Sequence, residues 1–171
     1  LYSLSHFEAT ALDAKFQQYI ALGIALVGSS GDAGTQEDGI WHSTMLYPSA
    51  SAYVTSIGGT RITSVSGNGS SAEQAWTFSG GGNQSFNAMP SWQANYLNVK
   101  QPSLVSDNMN VRAFPDVSAV ADFAHSPVAV YWHRAWHFYG GTSASAPIWA
   151  GIAALLAQSY ASSGSTLAQR I

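Results

Sequence analysis

The stretch that most constrains this chain runs from Gly140 to Tyr160. Gly140 and Gly141 lead into Thr142-Ser143-Ala144-Ser145-Ala146-Pro147, after which Ala, Ile and Leu recur on nearly every face. A helix that is apolar all round has to be buried rather than laid on a surface. The pattern therefore predicts a central helix over residues 142–160, covered on several sides by other layers. Pro147 is read as falling in the first turn, where a missing N–H is tolerated.

The rest of the chain supplies candidates for those layers. Ser5-His6-Phe7-Glu8 has the form of a capping box. Leu12, Phe16 and Ile20 recur at i, i+4 as one apolar stripe of a helix, which Gly23 closes as its C′ residue. Ile24 to Val27 is a short, wholly apolar run, as in a buried parallel strand. It breaks into the small-residue loop Ser29-Ser30-Gly31-Asp32-Ala33-Gly34. Helix, buried strand and loop in this order make half of a doubly wound α/β sheet, in which ligands bind outside the carboxyl ends of the strands. Residues 53–57 read as a second strand stopped by Gly58-Gly59, and residues 61–65 as a third. Residues 74–78 lead into Ser79-Gly80-Gly81-Gly82, where other backbone can approach closely. Residues 98–111 are polar and aperiodic and read as a long surface loop. Residues 128–131 and 136–139 pair as a hairpin whose Trp132, Trp136, Phe138 and Tyr139 are expected to pack in the core.

Composition removes several function classes. Charged residues make up 9% of the 171 and the formal net charge is -3, without the basic stripe that a nucleic-acid partner would want. The absence of cysteine excludes disulfides and thiolate chemistry. No apolar run reaches the length of a membrane-spanning helix. With six Lys/Arg and five His, the chain gains little positive charge in acid and so repels itself little there. That suits work at low pH. The chain starts at Leu1 and enters a helix within a few residues, which reads as a start in the middle of something larger.

A serine opening a buried helix after two glycines has its hydroxyl exposed, with helix N-terminal amides at hand for an oxyanion. The bland alternative is that Ser143 caps the helix. Asp32, at the carboxyl end of the first strand, is open to two readings as well: a site residue, or the closer of an Asx-turn before Gly34. His133 and His137 stand at i, i+4 but lie in the hairpin without a carboxylate, a poor metal site.

Five ordered segments resemble one family. Gly141-Thr142-Ser143-Ala144-Ser145-Ala146-Pro147 is similar to the nucleophile motif of subtilisins and sedolisins, and its Ser-Ala-Ser form is similar to the sedolisins. Ser29 to Gly34 resembles the sedolisin oxyanion loop. Tyr47 to Thr60, then Ser79-Gly80-Gly81-Gly82 with Pro90-Ser91-Trp92-Gln93, then Arg112 to Ala119 resemble the segments that follow it. Gly140 departs from the family, where a serine is usual.

The resemblance implies an α/β fold, a subtilisin-like three-layer sandwich with a mainly parallel sheet, of which residues 1–171 are a partial catalytic domain. It implies a serine-type peptidase that cleaves peptide or protein substrates through an acyl-enzyme on Ser143, with Asp32 as oxyanion residue. Subtilisins place an Asn there; an Asp donates only when protonated, which calls for a raised pKa, acidic solvent, or both. By analogy with subtilisin-like sites, Ser29, Ser30 and Gly31 line the pocket beside the scissile residue. Sedolisins activate the serine with a Glu oriented by an Asp, on a helix well before the oxyanion loop. Glu8 and Asp13 are five apart, share no helix face and come too late in the family order. The base pair is therefore expected outside this chain, as are the ligands of the family's calcium. An N-terminal pro-domain and a secreted or lysosomal-type location are expected of the full-length protein, with no nucleic acid or membrane partner. Two rival readings are an ordinary subtilisin-like peptidase and a sedolisin-fold binding module that has lost catalysis. Asp116 and Asp122 are expected to brace the loop before the hairpin.

Overall fold

The computed structural model of the chain describes residues 2–3, 6–34, 46–69, 71–100 and 110–162. A two-stranded piece, β1 (Tyr2–Ser3) with β3 (Leu46–Tyr47), flanks the first helix, α1 (His6–Ala21). The helix ends as Gly23 predicts. Gly23 takes φ +78°, and the amides of Gly23 and Ile24 turn back to the carbonyls of Ile20 and Tyr19 at 2.8 and 3.0 Å. These are the paired bonds of a Schellman close. The inward stripe of α1 differs from the predicted one. Ala9 is buried and Phe16 packs beside it, but Leu12 is exposed. The helix is turned by Asp13, whose carboxylate accepts Ser51 Oγ at 2.6 Å and the Tyr47 hydroxyl at 3.0 Å. The Ser5 half of the capping box lies outside the described residues.

The central sheet holds β2 (Val27–Ser29), β4 (Thr55–Val65) and β8 (Val117–Val120), with β4 parallel to both neighbours. Strand β5 (Ser71–Ala75) runs antiparallel along the far half of β4. The expected strand over residues 24–27 is displaced. The Ile24 amide is used by the helix close, and the ladder starts only where Thr55 N donates to Leu26 O at 2.9 Å. The second and third predicted strands are one strand, with Gly58-Gly59 in its middle rather than at its end. A Cβ at Gly58 would come within 2.7 Å of the Pro115 ring and of Ser118 Oγ, and one at Gly59 within 2.7 Å of Ala121 Cβ. Here glycine marks close packing on both faces of a continuing strand.

Three further elements were not anticipated. Strand β6 (Gly82–Ala88) pairs antiparallel with β7 (Val111–Phe114), and helix α2 (Ser91–Lys100) lies between them in sequence. The helix takes up residues 98–100 of the expected loop, β7 takes up Val111, and residues 101–109 lie outside the described residues. Asp116 is a structural brace, but of a different turn from the expected loop before the hairpin. The fully buried Arg112 guanidinium donates to both Asp116 oxygens at 2.6 Å, and Asp116 Oδ2 also accepts the Ser56 amide at 2.8 Å. This ties the start of β4 to the β7–β8 turn.

Helix α3 (Thr142–Ser162) packs on β2, β4 and β8. It lies on the Gly59 face of the sheet, where Ser145 Oγ reaches the carbonyls of Ala119 and Val120 at 2.9 and 3.0 Å. Gly28 and Gly58 point to the other face, toward Ser49 and Pro115, and the cluster of Ala9, Tyr47, Ala50 and Phe114 lies with α1. The order is helix, sheet, helix. The prediction that α3 is buried all round is corrected. Of its residues only Thr142 and Ser145 are buried, and Leu155 is 67% exposed. Pro147 is its sixth residue rather than part of the first turn, so the Ser143 carbonyl receives no amide from position 147. The hairpin β9 (Val128–Trp132) with β10 (Ala135–Tyr139) forms in the predicted place. Its aromatics are not core: Trp132, Trp136, Phe138 and Tyr139 are exposed, with Trp136 at 65%. The hairpin pairs only with itself, and Tyr131 and Trp136 stack edge-on at 5.3 Å.

Candidate active site

The parallel strands end where Asp32 and Ser143 stand. Strand β2 finishes at Ser29, whose carbonyl accepts Ser49 Oγ. Ser30 is fully buried, its amide bonded to Ile57 O at 2.9 Å and its hydroxyl without a partner among the described residues. Gly31 takes φ +104°, and its carbonyl accepts the Gly80 amide at 2.7 Å, so the loop is fixed from the glycine run as well. Asp32 follows with its side chain exposed.

The loop is joined to α3 by four contacts. Thr142 N donates to Asp32 Oδ1 at 2.7 Å and Thr142 Oγ1 reaches the same oxygen at 2.9 Å. Gly31 N donates to Thr142 Oγ1 at 3.0 Å, and Thr142 Oγ1 lies 3.2 Å from Gly31 O. An Asp carboxyl is thus the acceptor for the first amide of a helix that starts 110 residues later. Gly141, at φ +78°, is required here twice over. The left-handed backbone favours glycine, and a Cβ would lie 2.4 Å from Asp32 Oδ2.

This geometry departs from the capping and Asx-turn alternatives. Asp32 does not close an Asx-turn on Gly34, whose amide goes to Phe78 O at 3.0 Å. Ser143 does not sit in the capping position, because Thr142 already begins the helix and Ser143 is its second residue. Its side chain is exposed beside the junction that holds Asp32. Sequence reasoning missed Thr142 as part of the site. Its only signal was its place in the motif, since the partners of its hydroxyl lie 110 and 111 positions away.

The other candidates lie apart from this junction. Asp13 is engaged with Tyr47 and Ser51. Burial raises the Tyr47 phenol to about 12, and the neighbouring Asp13 carboxylate adds to the rise. The Asp122 carboxyl lies below the ordinary aspartate value. Burial alone would raise it, but bonds from His125 and the Ala124 amide, with the charge on His125, outweigh that. His125 Nδ1 is 2.8 Å from Asp122 Oδ2, and the adjoining Ala121 carbonyl accepts Gly141 N at 2.7 Å. Asp122 therefore braces the loop before the hairpin, and its neighbour Ala121 holds the glycine turn. His133 lies in the hairpin turn at φ 48° and His137 is exposed beside the Trp132 carbonyl. Among the described residues no three His, Cys, Asp or Glu side chains gather as a metal site.

The family model of the subtilase family matches residues 3–170 of the chain. Kumamolisin of Bacillus sp. (strain MN-32) is 33% identical over 157 residues, covering 86% of this chain and 27% of that protein. Tripeptidyl-peptidase SED2 of Arthroderma otae is 35% identical over 153 residues, covering 82% of this chain and 24% of its own length. The solved Pseudomonas sedolisin, a serine-carboxyl proteinase complexed with two molecules of pseudo-iodotyrostatin, superposes with a TM-score of 0.71 at 27% identity. That match covers 92% of this chain and 44% of the sedolisin chain. The chain thus spans about a quarter of the length of these curated relatives.

Proposed function

The chain belongs to the subtilase family, on its sedolisin side, and from that premise we propose that it carries the nucleophile and the oxyanion residue of a serine-type peptidase working in acid. Ser143 Oγ attacks the scissile carbonyl. The tetrahedral oxyanion receives a hydrogen bond from protonated Asp32, and collapse expels the amine and leaves an acyl-enzyme that water hydrolyses. The observation that carries this reading is the 2.7 Å bond from Thr142 N to Asp32 Oδ1. It fixes an aspartate carboxyl at the start of the helix whose next residue is Ser143. Of the strand end leading to Asp32, the half-buried Ser29 lines the pocket for the residue before the cleaved bond, while Ser30 and Gly31, also expected there, are buried and shape it only from behind.

The general base lies elsewhere in the full-length protein, of which residues 1–171 form one part of the catalytic domain. Asp13 and Asp122 are committed to structural partners, so neither is assigned that role. The calcium expected of the full-length enzyme finds no fitting cluster of side chains among the described residues, and no step here passes through it. Peptide or protein is the substrate, a pro-domain precedes the catalytic part, and the enzyme works in a secreted or lysosomal-type setting. No helix among the described residues is long and apolar enough to cross a membrane.

The test uses the full-length enzyme. Ser143→Ala should lower turnover by several orders of magnitude, on the scale of about 10⁶ when such a catalytic unit is broken. A serine-directed phosphonate should add to Ser143, located by mass spectrometry. Asp32→Asn supplies a donor that does not depend on pH, so the alkaline limb of its activity should move to higher pH. An adduct on another residue, or near-normal turnover in Ser143→Ala, removes Ser143 from the role. Coincident alkaline limbs remove Asp32.

A further inference from the structure

Resting on that reading of Ser143 and Asp32, we propose that Thr142 is a positioning residue: its hydroxyl and amide together hold Asp32 Oδ1, so that Oδ2 carries the proton given to the oxyanion. A threonine hydroxyl has one hydrogen and two lone pairs. One lone pair takes the Gly31 amide at 3.0 Å. The single hydrogen has two acceptors in range, Asp32 Oδ1 at 2.9 Å and Gly31 O at 3.2 Å. The carboxyl oxygen is the nearer acceptor. With the Thr142 amide at 2.7 Å, Oδ1 then accepts two hydrogen bonds. A proton on Oδ1 would have to displace one of them, so the proton belongs on Oδ2, the oxygen that faces Gly141.

The threonine is itself held. It is buried to 1% exposure, and its methyl lies against Gly59, 3.5 Å from where a Cβ there would stand. The hydroxyl therefore cannot swing out to solvent. Because it also takes the Gly31 amide, it fixes the backbone before Asp32 as well as the carboxyl. The methyl packs and the hydroxyl orients, and the two roles separate by substitution. Thr142→Val keeps the shape and removes the hydroxyl. Thr142→Ser keeps the hydroxyl and removes the methyl.

Steady-state kinetics in the full-length enzyme, at its acid optimum, test the assignment. Losing one oxyanion-hole donor costs about 10²–10³ in kcat, and disorienting it should cost less. Thr142→Val is therefore expected to lower kcat roughly 10- to 100-fold with KM changed by less than about threefold. Thr142→Ser should restore kcat to within about threefold of the parent. Thr142→Ala, which leaves no new methyl in a polar site, should match Thr142→Val and stands in for it if the valine enzyme folds poorly. A double-mutant cycle closes the argument. In an Asp32→Ala background, Thr142→Val should lower kcat by no more than about threefold, because its target is gone. If the serine variant falls with the valine variant, or the two losses multiply while Asp32→Ala alone behaves as expected, the Thr142 assignment is overturned and the oxyanion reading stands. If Asp32→Ala keeps parental kcat, the oxyanion reading itself fails and takes the Thr142 role with it.

Discussion

Substituting Gly141 by alanine puts the smallest possible load on the junction between loop and helix. The backbone there has φ +78°, and an L-residue in the left-handed region costs roughly 1–2 kcal/mol. The added methyl would start 2.4 Å from Asp32 Oδ2, about 1 Å short of an ordinary carbon–oxygen contact. The three atoms nearest that methyl all belong to Asp32, so the Asp32 carboxyl must give way, while its Oδ1 is held by Thr142. A misplacement of about 1 Å at a reacting centre costs on the order of 10² in rate. Gly141→Ala is therefore expected to cost about 1–3 kcal/mol of stability and roughly 100-fold in kcat, with KM nearly unchanged. Urea unfolding and steady-state kinetics on the full-length enzyme at its acid optimum read the two effects separately. If the variant keeps kcat within about threefold of the parent, or loses kcat/KM only through KM, then the Asp32 carboxyl does not act from this position.

Two further predictions concern what holds the site in place. Arg112→Met leaves Asp116 buried without its guanidinium and should destabilise by about 3–5 kcal/mol, read as a lower urea midpoint; a loss below about 1 kcal/mol would show that the pair is dispensable. Tyr47 should titrate near 12 rather than 10. Its folded value lies above its unfolded one, so its contribution is complete below pH 10 and is lost as pH rises from there through about 12. Tyr47→Phe should flatten the fall in unfolding midpoint across that window, and parallel curves for the two proteins would refute the assignment.

The parts of the fold that could be read from the sequence are those fixed by local geometry. Gly23 closes α1 because only a left-handed residue completes the Schellman bonds. The hairpin formed where the strand pattern put it. The strand limits failed because pairing partners set them. Apolar Ile24 and Ala25 looked like a strand, yet the ladder begins where Thr55 meets Leu26. Gly58-Gly59 looked like a stop, yet Pro115, Ser118 and Ala121 press on them from both sides of one strand. Strand β6 escaped notice because Gly-Asn-Gln-Ser carries no strand preference of its own.

The site divides in the same way. Ser143 and Asp32 could be picked out from their motifs because each needs only its own few neighbours in sequence. Thr142 could not, because its partners are Asp32 and Gly31, and one hydroxyl in a row of small residues says nothing of a carboxyl 110 positions earlier. Apolar pattern has the opposite defect: it states what a segment would bury if covered and is silent on the cover. Helix α3 and the hairpin aromatics carry that demand, and among the described residues full burial within α3 is confined to Thr142 and Ser145, in its N-terminal turns. Those turns are the part that matters for chemistry. Thr142 and Ser145 are buried against the loop and sheet while Ser143 between them is exposed. The proposed nucleophile, Ser143, stands out from a turn anchored on both sides, and its setting is decided by those two buried hydroxyls rather than by burial of the helix beyond them.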